Sequence, residues 1–134
     1  MNKFIIIFTL ILNRFVFGQV KDTKNNGKKT EIYYNIDRDA EFPEGFEVFK
    51  KLIMENFDTS KVKYKKKGRI FTVIVFVVQK DGSLGDFSVS GENKQFNKEA
   101  LNAIKKVDVK WSPALINNLP ARQRFKVPLY LTFD

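Results

Sequence analysis

The residues of this sequence that could do chemistry are carboxylates, hydroxyls and lysines, because it contains neither histidine nor cysteine. It therefore lacks the commonest general base, the commonest metal ligand and the thiol nucleophile. Asp37, Asp39, Glu41 and Glu44 come close together, but without the Asp-x-Asp-x-Asp-Gly spacing of a calcium loop, which favours a solvated acidic turn. No serine lies in a Gly-x-Ser-x-Gly motif, and no glycine-rich phosphate motif occurs. We therefore expect no enzyme, no metal ion and no cofactor.

A protein without catalytic groups acts by binding, and the last predicted strand offers the most specific surface. Apolar residues alternate with polar ones from Phe125 to Phe133, and Pro128, which cannot donate a ladder hydrogen bond, predicts an edge position. An edge strand can accept an extended peptide by β-augmentation, and basic side chains would attract acidic residues of that guest. The candidate partner-binding residues are Arg122, Gln123, Arg124, Phe125, Lys126, Val127 and Tyr130. The alternative is an edge that its charges and Pro128 protect from pairing.

The elements that position this strand are organised around residues 69–91. Residues 70–78 are almost all β-branched or aromatic, Asp81-Gly82 interrupts the run, and residues 84–89 resume a shorter one, which predicts a β-hairpin. The first arm is apolar on both faces, so we expect a central strand that is covered on both sides. In the second arm Phe87 and Val89 alternate with polar residues, which predicts a strand near an edge with one face toward water.

Two amphipathic helices complete the domain. Apolar residues at helical spacing predict one helix from Gly45 to about Asn56 and a second one capped by Asn93 or Asn97, which ends before Pro113. A right-handed crossover would lay the last strand beside the first hairpin arm. The predicted fold class is α+β, a three-stranded antiparallel sheet with two helices on one face, in the order helix-strand-strand-helix-strand. Residues 32–36 or a second subunit would cover the other face.

The N-terminal residues have the composition of an export signal. An uncharged apolar run follows Lys3, Arg14 closes it, and Val16 and Gly18 suit a cleavage site before Gln19. We expect residues 1–18 to be a signal peptide, residues 19–39 a flexible lead-in with a possible short strand, and residues 40–134 the folded domain. Cleavage would lower the net charge from +9 to +7. An uncleaved N-terminal anchor is the alternative.

Residues 61–69 (KVKYKKKGR) form the densest basic run of the chain. One interpretation is a solvated connection whose lysines protect the entry to an aggregation-prone strand. The other is contact with an anionic membrane surface or an acidic partner. Nucleic-acid binding would favour interleaved aromatic side chains, and only Tyr64 lies within the run, so we expect no nucleic-acid partner.

Short motifs follow one another in an order that resembles the TonB C-terminal domain family, especially its Bacteroidetes-type members. They are residues 40–45 (AEFPEG), 68–70 (GRI), 76–84 (FVVQKDGSL), 86–89 (DFSV), 99–101 (EAL), 111–114 (WSPA) and 127–129 (VPL). The resemblance covers about residues 40–134. It implies a periplasmic domain whose edge strand, here about residues 122–133, pairs with a short TonB-box peptide of an outer-membrane transporter.

Full transducers of this family carry a membrane anchor and a long proline-rich spacer, whereas this sequence has only four prolines. We therefore expect a stand-alone periplasmic TonB-like module related to TonB-dependent transport. The alternatives are a short energy transducer anchored in the inner membrane by its N-terminus, and a self-associating protein, such as a homodimer, that binds the cell-envelope surface.

Overall fold

The computed structural model describes residues 6–8 and 35–134, which form an α+β fold with a mainly three-stranded antiparallel sheet and two helices. The predicted signal peptide and most of the predicted lead-in lie outside the described residues. Of residues 1–18, only Ile6–Phe8 is described, and these residues form strand β1.

The sheet is organised around strand β2, Gly68–Val78. Strand β3, Leu84–Gly91, pairs with one side of β2, and strand β6, Gln123–Phe133, pairs antiparallel with the other side along all of its residues. The short β1 lies beyond β6, which gives the order β1-β6-β2-β3. The predicted central position of the first hairpin arm and the predicted crossover of the last strand are confirmed.

The first helix, α1, spans Phe46–Asn56 and agrees with the sequence prediction. Phe49 and Ile53 are its fully buried residues, one helical turn apart, as the apolar periodicity requires. A short 3-10 helix, Thr59–Lys61, follows, and the Asp58 side chain caps it by accepting a hydrogen bond from the Ser60 N–H at 3.0 Å. This cap satisfies a donor that the helix itself leaves unpaired.

The second helix, α2, spans Lys94–Lys105 and is preceded by its N-cap residue, Asn93. Asn93 Oδ1 accepts a hydrogen bond from the Phe96 N–H at 2.8 Å, so Asn93 is the cap. Asn97 instead ties the helix to the sheet: its Oδ1 lies 2.7 Å from the Thr72 hydroxyl, and its Nδ2 donates to the Gly91 carbonyl at 2.8 Å. The predicted helix is confirmed, and the cap is the first of its two candidates.

A small β-hairpin that the sequence analysis did not predict lies between α2 and β6. Its strands are β4, Ala114–Ile116, and β5, Leu119–Ala121. Asn117 and Asn118 form the turn, both with positive φ, which suits asparagine and matches the right-handed twist of a hairpin. The hairpin also holds the chain ahead of α1, because Arg38 bridges to Leu115.

One aromatic cluster fills the space between the sheet and the helices. Trp111 is 4% exposed, and its ring lies 4.9 Å from Phe49 and 5.3 Å from Phe125 in centroid distance. Phe76 of the central strand stacks on Phe125 at 5.5 Å. Phe49 belongs to α1, and Asn97 of α2 contacts Thr72, so both helices lie on the face that carries Thr72 and Phe76.

The prediction that both faces of the central strand are covered is wrong at one residue. Phe71 is 51% exposed, whereas Ile74 and Phe76 on the helix-covered face have no exposure. The apolar character of both faces indicated burial, but the two helices pack on only one of them.

Residues 35 and 36 of the possible short strand are not in a strand, and residues 31–34 lie outside the described residues.

Candidate peptide-binding edge

The last strand presents two very different sides. On its inner side β6 pairs with β2 from Gly68 opposite Phe133 to Val78 opposite Gln123. On its outer side it pairs with β1 only through Leu129–Leu131, in an antiparallel register that sets Ile7 opposite Tyr130. Within residues 6–8 and 35–134, no strand pairs with the outer side from Phe125 to Pro128. In the described part of the chain, that stretch is the unpaired edge of the sheet.

Pro128 indicates which backbone groups face the open edge. It lies opposite Val73 in the ladder with β2, and proline has no N–H to contribute. A strand paired along its whole length accommodates proline where the missing donor would point away from its partner. By the alternation of a strand, the N–H and C=O groups of Lys126 and Tyr130 then point outward as well.

Three of the candidate side chains point into the core. Phe125 and Val127 are buried beneath the helices, and Gln123 is only 2% exposed. Gln123 Oε1 accepts a hydrogen bond from the Ala40 N–H at 2.6 Å, and its Nε2 donates to Asp39 Oδ1 at 3.0 Å. These three residues can offer a guest only their backbone, and Gln123 holds the chain ahead of α1 against the edge strand.

The three basic candidates, Arg122, Arg124 and Lys126, differ in their contacts and in their exposure. Arg122 donates from Nε to Gln79 Oε1 at 2.8 Å and from its guanidinium to Asp86, so it ties the strand to the β2–β3 hairpin. Arg124 is half-buried, and Lys126 is exposed. Both lie on the sheet face that the helices leave uncovered, because they are opposite Val77 and Val75. Lys126 is the exposed cation beside the open edge.

Tyr130 is half-buried on the same uncovered face, next to Phe71 and Arg69. The Arg69 guanidinium lies 4.8 Å from the Tyr130 ring centroid, and the Phe71 and Tyr130 rings are 6.3 Å apart. The structure therefore separates the candidates into core residues, a tether to the hairpin, and a set on the uncovered face that consists of Arg124, Lys126 and Tyr130. The sequence analysis missed Phe71 and Arg69 as neighbours of this set, although strand alternation places them on one face.

Two of the four acidic residues ahead of α1, Asp37 and Asp39, accept hydrogen bonds that hold the fold together. Asp37 Oδ2 accepts a hydrogen bond from the Asn117 N–H at 2.6 Å, and Asp39 accepts from Gln123. Among the residues that the structure describes, no group of three or more potential ligands could hold a metal ion. Elsewhere, hydrogen bonds from Ser83 hold the pKa of Asp81 below its ordinary value, and those from Ser60 do the same for Asp58.

β1 was also missed as an edge-pairing segment. The signal that could have found it is the run of β-branched and aromatic residues after Lys3, which favours a strand as readily as an export signal.

No helix in the described ranges, 6–8 and 35–134, is long and apolar enough to cross a membrane. Comparison with protein-family models, with curated proteins and with solved structures finds no match to this chain.

Proposed function

We propose that this chain is a TonB-like protein-binding module of the periplasm, which pairs the outer edge of β6 with an extended peptide of an outer-membrane transporter. It acts by binding and not by catalysis. The observation that carries the proposal is the strand pairing along the outer edge of β6. It accepts an antiparallel segment at Leu129–Leu131, and no strand among the described residues pairs with it from Phe125 to Pro128.

The order of the elements supports the family resemblance behind this proposal. A helix, a hairpin, a second helix and a last strand beside the first hairpin arm follow one another in the order that the sequence predicts for residues 40–134, the range that the resemblance covers. The TonB-like motifs also occupy structural positions: Gly82 turns the hairpin, and Trp111 fills the core beneath it. The edge strand therefore rests on a rigid scaffold, which favours strand addition with little reorganisation.

Recognition would combine backbone pairing with charge. An extended guest gains affinity from main-chain hydrogen bonds, which depend little on its sequence. Lys126 is exposed beside the edge, so acidic guest residues would gain a modest electrostatic contribution there. Arg122 is already held by Gln79 and Asp86, so it contributes to the stability of the edge more than to the guest.

The test is a titration of the complete chain with an acidic, extended peptide, followed by backbone amide NMR. We expect shifts between Gln123 and Pro128 and none along β3, the opposite sheet edge. Lys126→Glu should weaken binding of the acidic peptide roughly fivefold, the size expected of one solvent-exposed charge pair. Lys98→Glu makes the same charge change at an exposed position of α2 and should leave the affinity unchanged. Shifts along β3, or none at saturating peptide, would overturn the proposal.

A further inference from the structure

The uncovered sheet face and the basic loop meet at one end of the molecule. Lys65, Lys66 and Lys67 are exposed and lead directly into Gly68, the first residue of the central strand. Arg69 and Phe71 follow on the uncovered face, and Tyr130 lies opposite Phe71. Since a strand rises about 3.3 Å per residue, all of them lie within about 10 Å of the strand's start along its axis.

We propose that this basic-aromatic surface, formed by Lys65, Lys66, Lys67, Arg69, Phe71 and Tyr130, docks on a lipid bilayer that contains anionic phospholipid. The proposal is independent of peptide binding at the β6 edge. It depends on the basic loop and on the Phe71 end of the uncovered face, whereas the proposed function depends on the backbone edge of β6 and on Lys126.

The charge of this end favours an anionic partner. In the described part of the chain, none of the three loop lysines forms an ion pair, and Arg69 contacts an aromatic ring instead of a carboxylate. Two exposed acids lie at the same end, Glu92 after β3 and Asp134 after β6. The cations of the surface outnumber them, so a negatively charged bilayer is attracted.

The aromatic residues suit a bilayer interface. Phe71 is 51% exposed beside the half-buried Tyr130, and aromatic rings of this kind are favoured at the level of lipid headgroups. Arg69 extends over the Tyr130 ring, so its charge lies next to the apolar surface that would enter the interface. Exposed aromatic side chains and unpaired cations together provide the two contributions on which interfacial binding depends.

The same contacts disfavour single-stranded nucleic acid as the occupant. Stacking of bases requires free aromatic ring faces. Arg69 covers one face of Tyr130, and Tyr64, the aromatic residue within the basic run, packs against Phe133 at 5.2 Å. Phe71 alone remains as a platform at this end.

The first test compares two variants of the complete chain by co-sedimentation with phosphatidylglycerol-containing vesicles and with phosphatidylcholine vesicles. The loop variant carries Lys65→Glu, Lys66→Glu and Lys67→Glu. Its control carries Lys80→Glu, Lys106→Glu and Lys110→Glu, which make the same charge change at exposed positions beyond the opposite end of the central strand. Both keep residues 1–34, so any contribution of that segment is the same in each.

We expect the unmodified chain to bind the anionic vesicles, with affinity that falls steeply as salt is added. The loop variant should bind about a hundredfold more weakly, because each of the three lysines contributes roughly fivefold near an anionic surface. The control should stay within about threefold of the unmodified chain, since charges beyond a Debye length are screened. Equal losses in both variants, or no anionic-vesicle binding by the unmodified chain, would overturn the proposal.

The second test locates the contact. Trp111 is buried, so a tryptophan placed at Phe71 reports separately on the surface. With brominated phospholipids in the anionic vesicles, Phe71→Trp should be quenched, whereas Leu119→Trp, at the exposed first residue of β5, should not. Quenching at both positions or at neither contradicts docking through this end, as does tighter binding of a single-stranded oligonucleotide than of the vesicles.

Discussion

Gly82 is the residue on which the β2–β3 turn and the Trp111 segment both depend. Its φ is +83°, a region that side chains with a Cβ rarely adopt. The Trp111 N–H donates to the Gly82 carbonyl at 2.9 Å, and a Cβ built at Gly82 would lie 2.0 Å from the Trp111 carbonyl oxygen. The close approach of two backbones therefore excludes any side chain at this position.

Gly82→Ala should lower the free energy of unfolding by more than Gly45→Ala does. Gly45 also has a positive φ, of +87°, but nothing lies within 4 Å of a Cβ built there. Its substitution should cost about 1–3 kcal/mol from backbone strain alone. The collision with Trp111 should add at least about 1 kcal/mol at Gly82. Urea denaturation of both variants measures the difference, and equal losses would show that the Trp111 contact contributes nothing.

Single residues also show where sequence reasoning reaches its limit. The alternation that predicts burial of Phe125 and Val127 also places Gln123 on the same inward face of the strand. A polar side chain is nevertheless expected to be solvent-exposed, so the burial of Gln123 was not predicted. Its burial depends on Ala40 and Asp39, which lie far from it in the sequence. Phe71 is the opposite case. An aromatic residue in an apolar strand is expected to be buried, but Phe71 is 51% exposed.

At the scale of elements, the long periodic segments were predictable and the short ones were not. Both helices, the β2–β3 hairpin and the long β6 follow from periodicity, turn residues and caps. β4 and β5 have three residues each, too few for alternation to be visible, and only the Asn117-Asn118 pair indicates the turn. β1 was predictable as an apolar run but not as a partner of Leu129–Leu131, because pairing between distant segments leaves no local signal.

Ile7→Pro should separate β1 from β6. Ile7 lies opposite Tyr130, whose backbone groups face outward by the argument from Pro128, so proline would remove a donor at the centre of a three-residue pairing. Hydrogen exchange at the Tyr130 amide should become faster, while exchange in β2 should not change. Peptides that pair with Leu129–Leu131 should bind more tightly, since they no longer compete with β1.

The control for this experiment is Val109→Pro, at an exposed residue that lies outside the described helices and strands. It should leave exchange at Tyr130 as it is in the unmodified chain. If Ile7→Pro also has no effect on that amide, β1 does not protect the edge in solution, and the guest meets an edge that is open along its whole length.

At the scale of the whole molecule, a single core joins the elements that the structure describes. Trp111 contacts rings from the segment before α1, from α1 itself, from β2 and from β6, through Phe42, Phe49, Phe76 and Phe125. No element packs on a separate apolar cluster within the described ranges. Such a core should lose its structure as one unit.

Unfolding should therefore be a single cooperative transition. Trp111 is the only tryptophan, and it is buried, so its emission should shift to longer wavelength as the core is exposed. The transition seen by this emission should coincide with that of far-ultraviolet circular dichroism over a urea titration. Two separated midpoints would mean that the sheet and the aromatic cluster unfold independently.

The pairing of β2 with β6 also has a consequence for the order in which the protein can form during synthesis. β2, β3 and α2 are complete in the growing chain once Lys105 has been made, but the inner partner of β2 begins only at Gln123. Until then one edge of the central strand, with Ile74 and Phe76 on its apolar face, is exposed to other chains. We expect the lysines at residues 65–67, just ahead of that strand, to discourage intermolecular pairing during this interval.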